Sequence, residues 1–397
     1  MPHLRRKLSE VVSVAVAFHP LPCAIIDIDP CMRLFLSVLA VCSLSAQPKV
    51  GLIEVYGNRK VSSDRIRKEL GVRPGDPLPP SKGDAEAKVE HISGILSAQL
   101  EASCCERGDA VLYVGVEERG AVVPQYRLEP DEELACPEPI QQAYATFVQA
   151  LGGAAQDNET SEDFSRGYSL MENATARAEQ LRMLALMETS DEAVRRVLQK
   201  SMFADQRAIA AYTLQYAPDR SKVAPDLQAA LQDPDESVRR NAARALAPLI
   251  VLSRREPSTG LRIQPTWLVE MLNSKVLSDR LEAAKTLLLF TDQEDRNTIR
   301  NIQERALPSL YEMARWQHLP HALPAFLLLG RVAGWKDDAI QEAWSTGDRG
   351  KTIEQWQKSL KHVEKMAAPT IKADPPPMSP YPKLPARPGQ SGQIGPP

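Results

Sequence analysis

The sequence predicts a mainly α-helical chain in which stacked helical hairpins form a solenoid behind a small α+β domain. Two observations lead to this fold class. In residues 174–346 a basic residue is followed by apolar residues four and seven positions later, and this frame recurs at intervals typical of two-helix repeats. In residues 48–118 strand-like and helix-like patterns alternate over short distances, which is typical of a compact mixed domain. The frame begins at Arg177, Arg207, Arg239, Arg280 and His321.

Residues 233–250 carry the clearest copy of the frame. Asp233 can cap a helix that starts at Pro234, with Glu236 placed to complete a capping box. One apolar stripe then faces inward, and the neighbouring arginines are expected to reach solvent or adjacent units. The stripe consists of Val238, Ala242, Leu246 and Leu249.

This copy resembles the short bacterial HEAT repeat, whose first helix carries D-x-x-V-R followed by A-A-x-A-L. The matching residues are Asp235, Val238, Arg239, Ala242, Ala243, Ala245 and Leu246. The resemblance covers residues 174–346 and implies a right-handed α-helical solenoid. In that family the frame arginine commonly bonds to an acidic residue of the adjacent unit. The resemblance therefore implies structural roles in repeat stacking for Arg207, Arg239, Arg280, Asp205, Asp235 and Asp279.

The earlier mixed stretch has the predicted order β-α-α-β-β. Its pattern indicates a strand that ends at Gly57, two helices, a weak strand and a final strand. The predicted ranges are 50–56, 62–70, 84–100, 100–105 and 109–118.

This stretch resembles a POTRA domain, and the resemblance covers about 70 residues. The matching positions are Ile53, Val55, Gly57, Asn58, Ile66, Leu70, Gly75, Asp76, Leu78, Val114, Val116 and Glu118. The resemblance implies that an extended client binds by adding a strand at an exposed sheet edge. No series of amphipathic strands suited to a membrane barrel follows, which argues against a barrel-assembly role. A generic α+β domain that only caps the solenoid is the alternative.

The first 46 residues predict export. Residues 34–44 form a short apolar run followed by Ser45 and Ala46, which fits a signal peptide at 32–46 and is too short to span a bilayer. Residues 1–31 fit poorly as part of it, so we expect synthesis to start at Met32 and residues 1–31 to be a misannotated or disordered extension. A lipoprotein site at Cys42 is the alternative. The expected location is the periplasm or cell envelope.

Two further segments differ in composition from the predicted domains. Residues 119–173 are predicted to form an acidic linker with one helix at about 139–151, followed by a flexible stretch. The acidic run is interpreted as a solvated surface, with a cation site as the alternative. Residues 368–397 read as a disordered, proline-rich tail.

The cysteine count and the net charge further limit which bonds and binding partners the sequence predicts. After processing, Cys104, Cys105 and Cys136 remain, and Cys136 with one of the other two is the expected disulfide, unless all three are thiols. A net charge of −3 gives no support for a nucleic-acid surface. No hydrolase, phosphate-loop or H-E-x-x-H motif is present, so we predict no catalytic residue, cofactor or metal.

The functional prediction is an exported, non-enzymatic scaffold that binds a protein partner, such as another envelope protein, along the concave face of the solenoid. The candidate partner-binding residues are Trp267, Trp316, His318 and Trp335, because large aromatics are favoured at contact hot spots. Core filling, or packing and capping by His318 and His321, is the alternative for these side chains. Two other functions stay open: a bilin lyase-like enzyme, and a structural envelope component. No transmembrane span is predicted.

Overall fold

The computed structural model describes residues 48–106, 108–157, 159–292, 295–345 and 347–367. The predicted extension, signal peptide and proline-rich tail lie outside the described residues. Within these ranges the chain is mainly helical, with a small sheet near its start, as predicted. None of the helices in these ranges is long and apolar enough to cross a membrane.

The first described elements follow the order β-α-α-β-β. They are β1 (Val50–Tyr56), α1 (Ser63–Leu70), α2 (Lys82–Glu90), β2 (Ile95–Glu106) and β3 (Asp109–Glu118). β3 lies in the centre of the sheet, parallel to β1 and antiparallel to β2. The two helices belong to the long connection that parallel strands require.

The second helix of this region ends much earlier than its sequence pattern predicts. The predicted helix over 84–100 is wrong in its second half, because α2 ends at Glu90 and Ile95 already begins β2. Gly94 lies between them with a φ of 103°, a backbone conformation that favours glycine and ends the helical path. Leu96 and Leu100 match a helical spacing and a strand alternation equally well, so the pattern alone was ambiguous.

The two faces of the sheet pack against different parts of the chain. On one face, Ile53, Val55 and Val114 form a core with the buried side chains of α1 and α2. On the other face, Tyr56 and Tyr113 join the core of the helical part. Both faces of the sheet are therefore covered.

Residues 119–137, here called the strap, connect the sheet to the helices without regular secondary structure apart from an isolated bridge. After it come α3 (Glu138–Gln156), β4 (Glu162–Asp163) and β5 (Leu170–Met171). The stretch predicted to be flexible thus contains the end of α3 and a short antiparallel strand pair. It is held in place because the amide of Met171, a buried residue, donates to Gln180 Oε1 at 2.6 Å.

The rest of the described chain is helical. The helices are α4 (Ala174–Lys200), α5 (Ala204–Thr213), α6 (Arg220–Ala230), α7 (Glu236–Arg255), α8 (Thr266–Met271), α9 (Leu277–Thr291), α10 (Arg296–Arg305), α11 (Leu307–Ala314), α12 (Leu319–Val332), α13 (Asp337–Ser345) and α14 (Arg349–Ala367). Helices α4, α5, α7, α9 and α12 pack side by side in chain order. Small side chains on α5, α7 and α9 let neighbouring helices approach closely. The fully buried alanines of these helices are Ala210, Ala211, Ala242, Ala243, Ala245, Ala283 and Ala284. The sequence did not predict α14, whose Trp356 packs on Phe326 and Trp335.

The start of α7 lies two residues later than predicted. The cap is Asp235, whose Oδ1 accepts from the amides of Ser237 at 2.8 Å and Val238 at 3.2 Å. Asp233 lies in the preceding turn and is fully buried. Arg239 is also buried, with 1% of its surface exposed, and does not reach solvent.

The expected disulfide of Cys136 is not formed. Cys136 is a free, buried thiol, and Cys104 belongs to a disulfide in which Cys136 takes no part. Cys136 lies against α5 instead, where its amide donates to Gln206 Oε1 at 3.0 Å. Burial raises the pKa of the Cys136 thiol to about 12, so it stays protonated at neutral pH.

Candidate functional site: the sheet, its outer edge and its contact with the helices

Two arginines of the recurring frame form buried, two-pronged ion pairs. Arg207 donates from Nε and Nη2 to the two carboxylate oxygens of Asp233, both at 2.9 Å. Arg239 makes the same contact with Asp279 at 2.9 and 2.8 Å. Planar guanidinium and carboxylate groups match each other in this arrangement, which makes it one of the stronger hydrogen-bonded pairs in proteins. Each pair joins one frame helix to the segment that begins or precedes the next.

A second contact recurs along the frame. Four of its arginines donate to the carbonyl oxygen six residues earlier in the chain. The pairs are Arg177 with Met171 at 3.4 Å, Arg207 with Ser201 at 2.8 Å, Arg239 with Asp233 at 2.8 Å and Arg280 with Ser274 at 2.5 Å. Each side chain therefore satisfies a carbonyl of the segment just before its own helix.

The acidic partners agree with the predicted set only in part. Asp279 pairs with Arg239, as described above. Asp235 instead caps α7, and Asp205 accepts from Gln206 Nε2 at 3.0 Å in the first turn of α5. Both lie at helix starts, where their carboxylates accept hydrogen bonds from neighbouring residues. The acidic partner of Arg207 is instead Asp233, a buried residue of a turn. The partner of Arg280 is Glu312, at 2.9 Å.

The strap runs over this row of ion pairs. The Tyr126 ring lies 4.1 Å from the guanidinium carbon of Arg239, and its hydroxyl donates to Asp279 at 3.1 Å. Burial and the nearby Asp279 carboxylate raise the pKa of Tyr126, so the phenol stays protonated. Arg127 donates to Asp233 at 2.5 Å. The strap therefore completes the hydrogen bonding of both buried aspartates.

The sheet contacts the helical part through an aromatic cluster. Tyr56, Tyr113 and Trp316 pack edge to face, with ring centroids 5.4 to 6.4 Å apart. The Tyr113 hydroxyl and His321 Nδ1 share a 2.5 Å hydrogen bond. Tyr56 donates to the Lys275 carbonyl at 2.7 Å. The fifth frame residue, His321, thus contacts the sheet where the other four bind a preceding carbonyl.

Two carboxylates cross the same junction. Glu54 Oε1 accepts from the amide of Gln317 at 2.5 Å, just before α12. Burial raises the pKa of Glu54, against the lowering effect of its backbone hydrogen bonds. Glu312 accepts from the amide of Gly57 and from Arg59 Nη1, each at 3.1 Å. The sheet is therefore joined to the helices by hydrogen bonds as well as by apolar contact.

The candidate partner-binding residues are not on an open surface. Trp316 and His318 are 2% and 3% exposed, and Trp316 packs on the chain's own sheet. Trp267 and Trp335 are half-buried and pack against the helical core. The junction with the sheet encloses Trp316 and His318, so in this arrangement neither side chain is accessible to a separate partner.

Glu101, at the junction, has a pKa well above that of a free carboxyl. Burial, and then the nearby Glu236 carboxylate, raise the pKa of Glu101 to about 7. Gln99 on the same strand donates to Glu236 Oε2 at 2.9 Å, which keeps the start of α7 close to β2. Two carboxylates thus lie together where the sheet meets α7.

Glu101→Gln is expected to stabilise the protein above pH 7 by about 1–2 kcal/mol. The folded-state pKa lies above the ordinary glutamate value of 4.5, so the native protein loses stability as pH rises from about 4.5 to about 7. Above pH 7 this penalty is constant. Urea unfolding between pH 4.5 and 8.5 measures it, with the exposed Glu69→Gln as control. Equal pH slopes for the wild type and E101Q would contradict the prediction.

The outer edge of β2 faces away from β3 and pairs with none of the described strands. Its amides are met by side chains of α2. Ala98 donates to Glu90 Oε1 at 2.9 Å, and Leu100 donates to Glu86 Oε1 at 2.7 Å. Leu96, at the start of this edge, is 49% exposed. The edge is therefore accessible, with two of its donors already bound to carboxylates.

Several residues of these surfaces were missed in the sequence. Glu86 and Glu90 lie in the predicted helix over 84–100 but were not singled out, although a pair of glutamates four residues apart just before an edge strand is a usable signal. Tyr56 and Tyr113 were read only as strand residues. Alternation places them opposite Ile53 and Val114, which predicts a second buried face.

No group of three or more His, Cys, Asp or Glu residues in the described part of the chain is arranged to hold a metal ion. The His318 and His321 rings lie edge to face at 4.5 Å inside the junction. No protein-family model matches the chain, and no curated protein sequence matches it.

Proposed function

We propose that this chain is an exported, non-enzymatic adaptor that binds a protein partner through the outer edge of β2. The observation that carries the proposal is the accessible edge at residues 96–104. Where an outward amide of this edge has a partner among the described residues, that partner is a side-chain carboxylate. Sheet edges of this kind bind extended segments through main-chain hydrogen bonds with little demand on sequence.

The small domain is proposed to be POTRA-like and the helical part to be a right-handed HEAT-like solenoid. The β-α-α-β-β order supports the first assignment. The recurring contact between a frame arginine and the carbonyl six residues earlier supports the second. In this proposal the helices hold the sheet in a fixed orientation and offer a second contact along their concave face.

Export is proposed from the apolar run at 34–44, which has the length and flanking residues of a signal peptide. Cell fractionation, followed by N-terminal sequencing of the mature protein, tests it. We expect a mature N-terminus near residue 47. A protein that starts at Met1 in the cytoplasm would overturn the export proposal without touching the binding surface.

Ala102→Pro is expected to abolish partner capture. Its amide has the outward orientation of those at Leu100 and Ala98, two and four residues away, so proline removes a donor that an added strand needs. Proline is tolerated where the amide faces outward from an edge strand, so the fold should survive. Crosslinking and affinity capture from envelope extracts should lose a specific partner at least tenfold in A102P.

The matched control is Ala102→Ser, which keeps the amide. Circular dichroism and thermal unfolding verify that both variants fold. Recovery of the same proteins in equal amounts with A102P and A102S would rule out strand addition at this edge.

A further inference from the structure

We propose that Glu86 and Glu90 form a gate on the outer edge of β2 that competes with an incoming strand. This inference rests on the proposed function, since it concerns the same edge. An added strand must use the amides of Ala98 and Leu100, and both donate to the gate carboxylates at 2.9 and 2.7 Å. A partner therefore binds only by displacing both side chains.

The spacing of the gate matches that of a paired strand. Outward amides of a strand recur every second residue, about 6.6 Å apart. Side chains four residues apart on a helix lie on the same face, separated by about 6 Å along its axis. Glu86 and Glu90 therefore supply two acceptors at the interval at which the carbonyls of a neighbouring strand would stand.

The helix that carries the gate is fixed on the sheet. Ala85 and Val89 of α2 are 4% and 0% exposed and belong to the core under the sheet. The Ser81 hydroxyl caps the helix start by accepting from the Asp84 amide at 3.2 Å. Opening the gate thus requires rotation of two glutamate side chains and no movement of α2.

The ease of opening differs between the two positions. Glu90 is exposed, whereas the Glu86 side chain is 20% exposed and lies 3.8 Å from Lys82 Nζ. The amide of Leu100 is therefore the better protected of the two. An entering strand is expected to pair first at Ala98 and then displace Glu86.

The gate also restricts the chemistry of the partner. Once displaced, both carboxylates remain beside the incoming strand as negative charges that no longer accept from its amides. An extended segment with alternating basic side chains offsets these charges, whereas an acidic one is repelled. The gate thus selects basic extended segments, and without a partner it satisfies edge donors that promote edge-to-edge association.

The first test examines the gate in the absence of a partner. It measures hydrogen exchange at single amides of the full chain. In Glu86→Ala/Glu90→Ala, exchange at Ala98 and Leu100 should be at least tenfold faster than in the wild type. The amides of Gln99 and Glu101 point toward β3 and serve as internal controls that should not change. Unchanged exchange at Ala98 and Leu100 would overturn the gate.

The second test uses two acetylated and amidated octapeptides, (Lys-Val)4 and (Glu-Val)4. The affinity for (Glu-Val)4 should rise at least tenfold in E86A/E90A, because both the competing acceptors and the repelling charges are removed, and adding A102P should cancel the gain. Glu86→Gln/Glu90→Gln keeps the acceptors but removes the charge, so it should lose the preference for (Lys-Val)4. A concentration-dependent dimer of E86A/E90A, absent in the wild type, would also support the gate.

The outcomes separate the gate from the proposed function. If A102P abolishes peptide binding but E86A/E90A binds with wild-type affinity, strand addition stands and the gate is overturned. If no variant binds either peptide and A102P captures the same proteins as A102S, strand addition itself fails and the gate fails with it.

Discussion

Arg239→Ala is expected to lower the free energy of unfolding by about 3–5 kcal/mol, because it leaves a buried carboxylate without its counter-charge. Asp279 is fully buried and receives two hydrogen bonds from Arg239. Ser274 and Tyr126 would still donate to it, but neither carries a positive charge. Two carbonyls of the preceding turn would lose their donor as well.

Denaturant unfolding, monitored by circular dichroism at 222 nm, measures the effect. Arg255→Ala at the end of the same helix is the matched control, since its ion pair with Glu256 is about half-exposed and should contribute less than about 1 kcal/mol. In the double variant Arg239→Met/Asp279→Leu, much of the loss should be recovered because no unpaired charge is left at this position. Equal losses in R239A and R255A would show that the buried pair does not hold the helices together.

The sequence located these arginines but only one of their acidic partners, Asp279. Periodicity identifies which helix face is buried, and it left open whether Arg239 reaches solvent or a neighbouring unit. The partner of each arginine depends on which nearby acidic residue is buried, and that is decided by how two helices pack. Asp235 and Asp233 differ by two positions in sequence, yet one caps a helix and the other neutralises Arg207.

The order of elements in the small domain could be predicted because each element has its own local sequence pattern. Ser62 and Gly71 bound α1 as a cap and a left-handed terminator, as their types predict. The contact between the sheet and the helices could not be predicted from the sequence, because it joins residues more than 200 positions apart. Trp316 was recognised as a residue suited to a contact, but no local pattern says that the contact is with the same chain.

Gly115→Ala is expected to weaken the junction between the sheet and the helices by about 3 kcal/mol, at the upper end for an overpacked core. A Cβ at this position would lie 2.0 Å from the Lys275 carbonyl oxygen and 2.7 Å from the Tyr56 hydroxyl. Real Cβ atoms do not approach backbone atoms so closely, so the sheet must move away from α9. The hydrogen bond between Tyr56 and Lys275 would be lost with that movement.

The matched control is Gly83→Ala in the first turn of α2, where an added Cβ meets nothing within 4 Å. It should stabilise the protein by up to about 1 kcal/mol, because alanine favours the helix. Hydrogen exchange adds a readout that unfolding alone does not give: in G115A the amides of β1 and β3 should exchange faster while those of α7 keep their protection. Uniform loss of protection in both regions would mean that the sheet and the helices unfold as one unit, and unchanged protection throughout would mean that the junction is not packed as described.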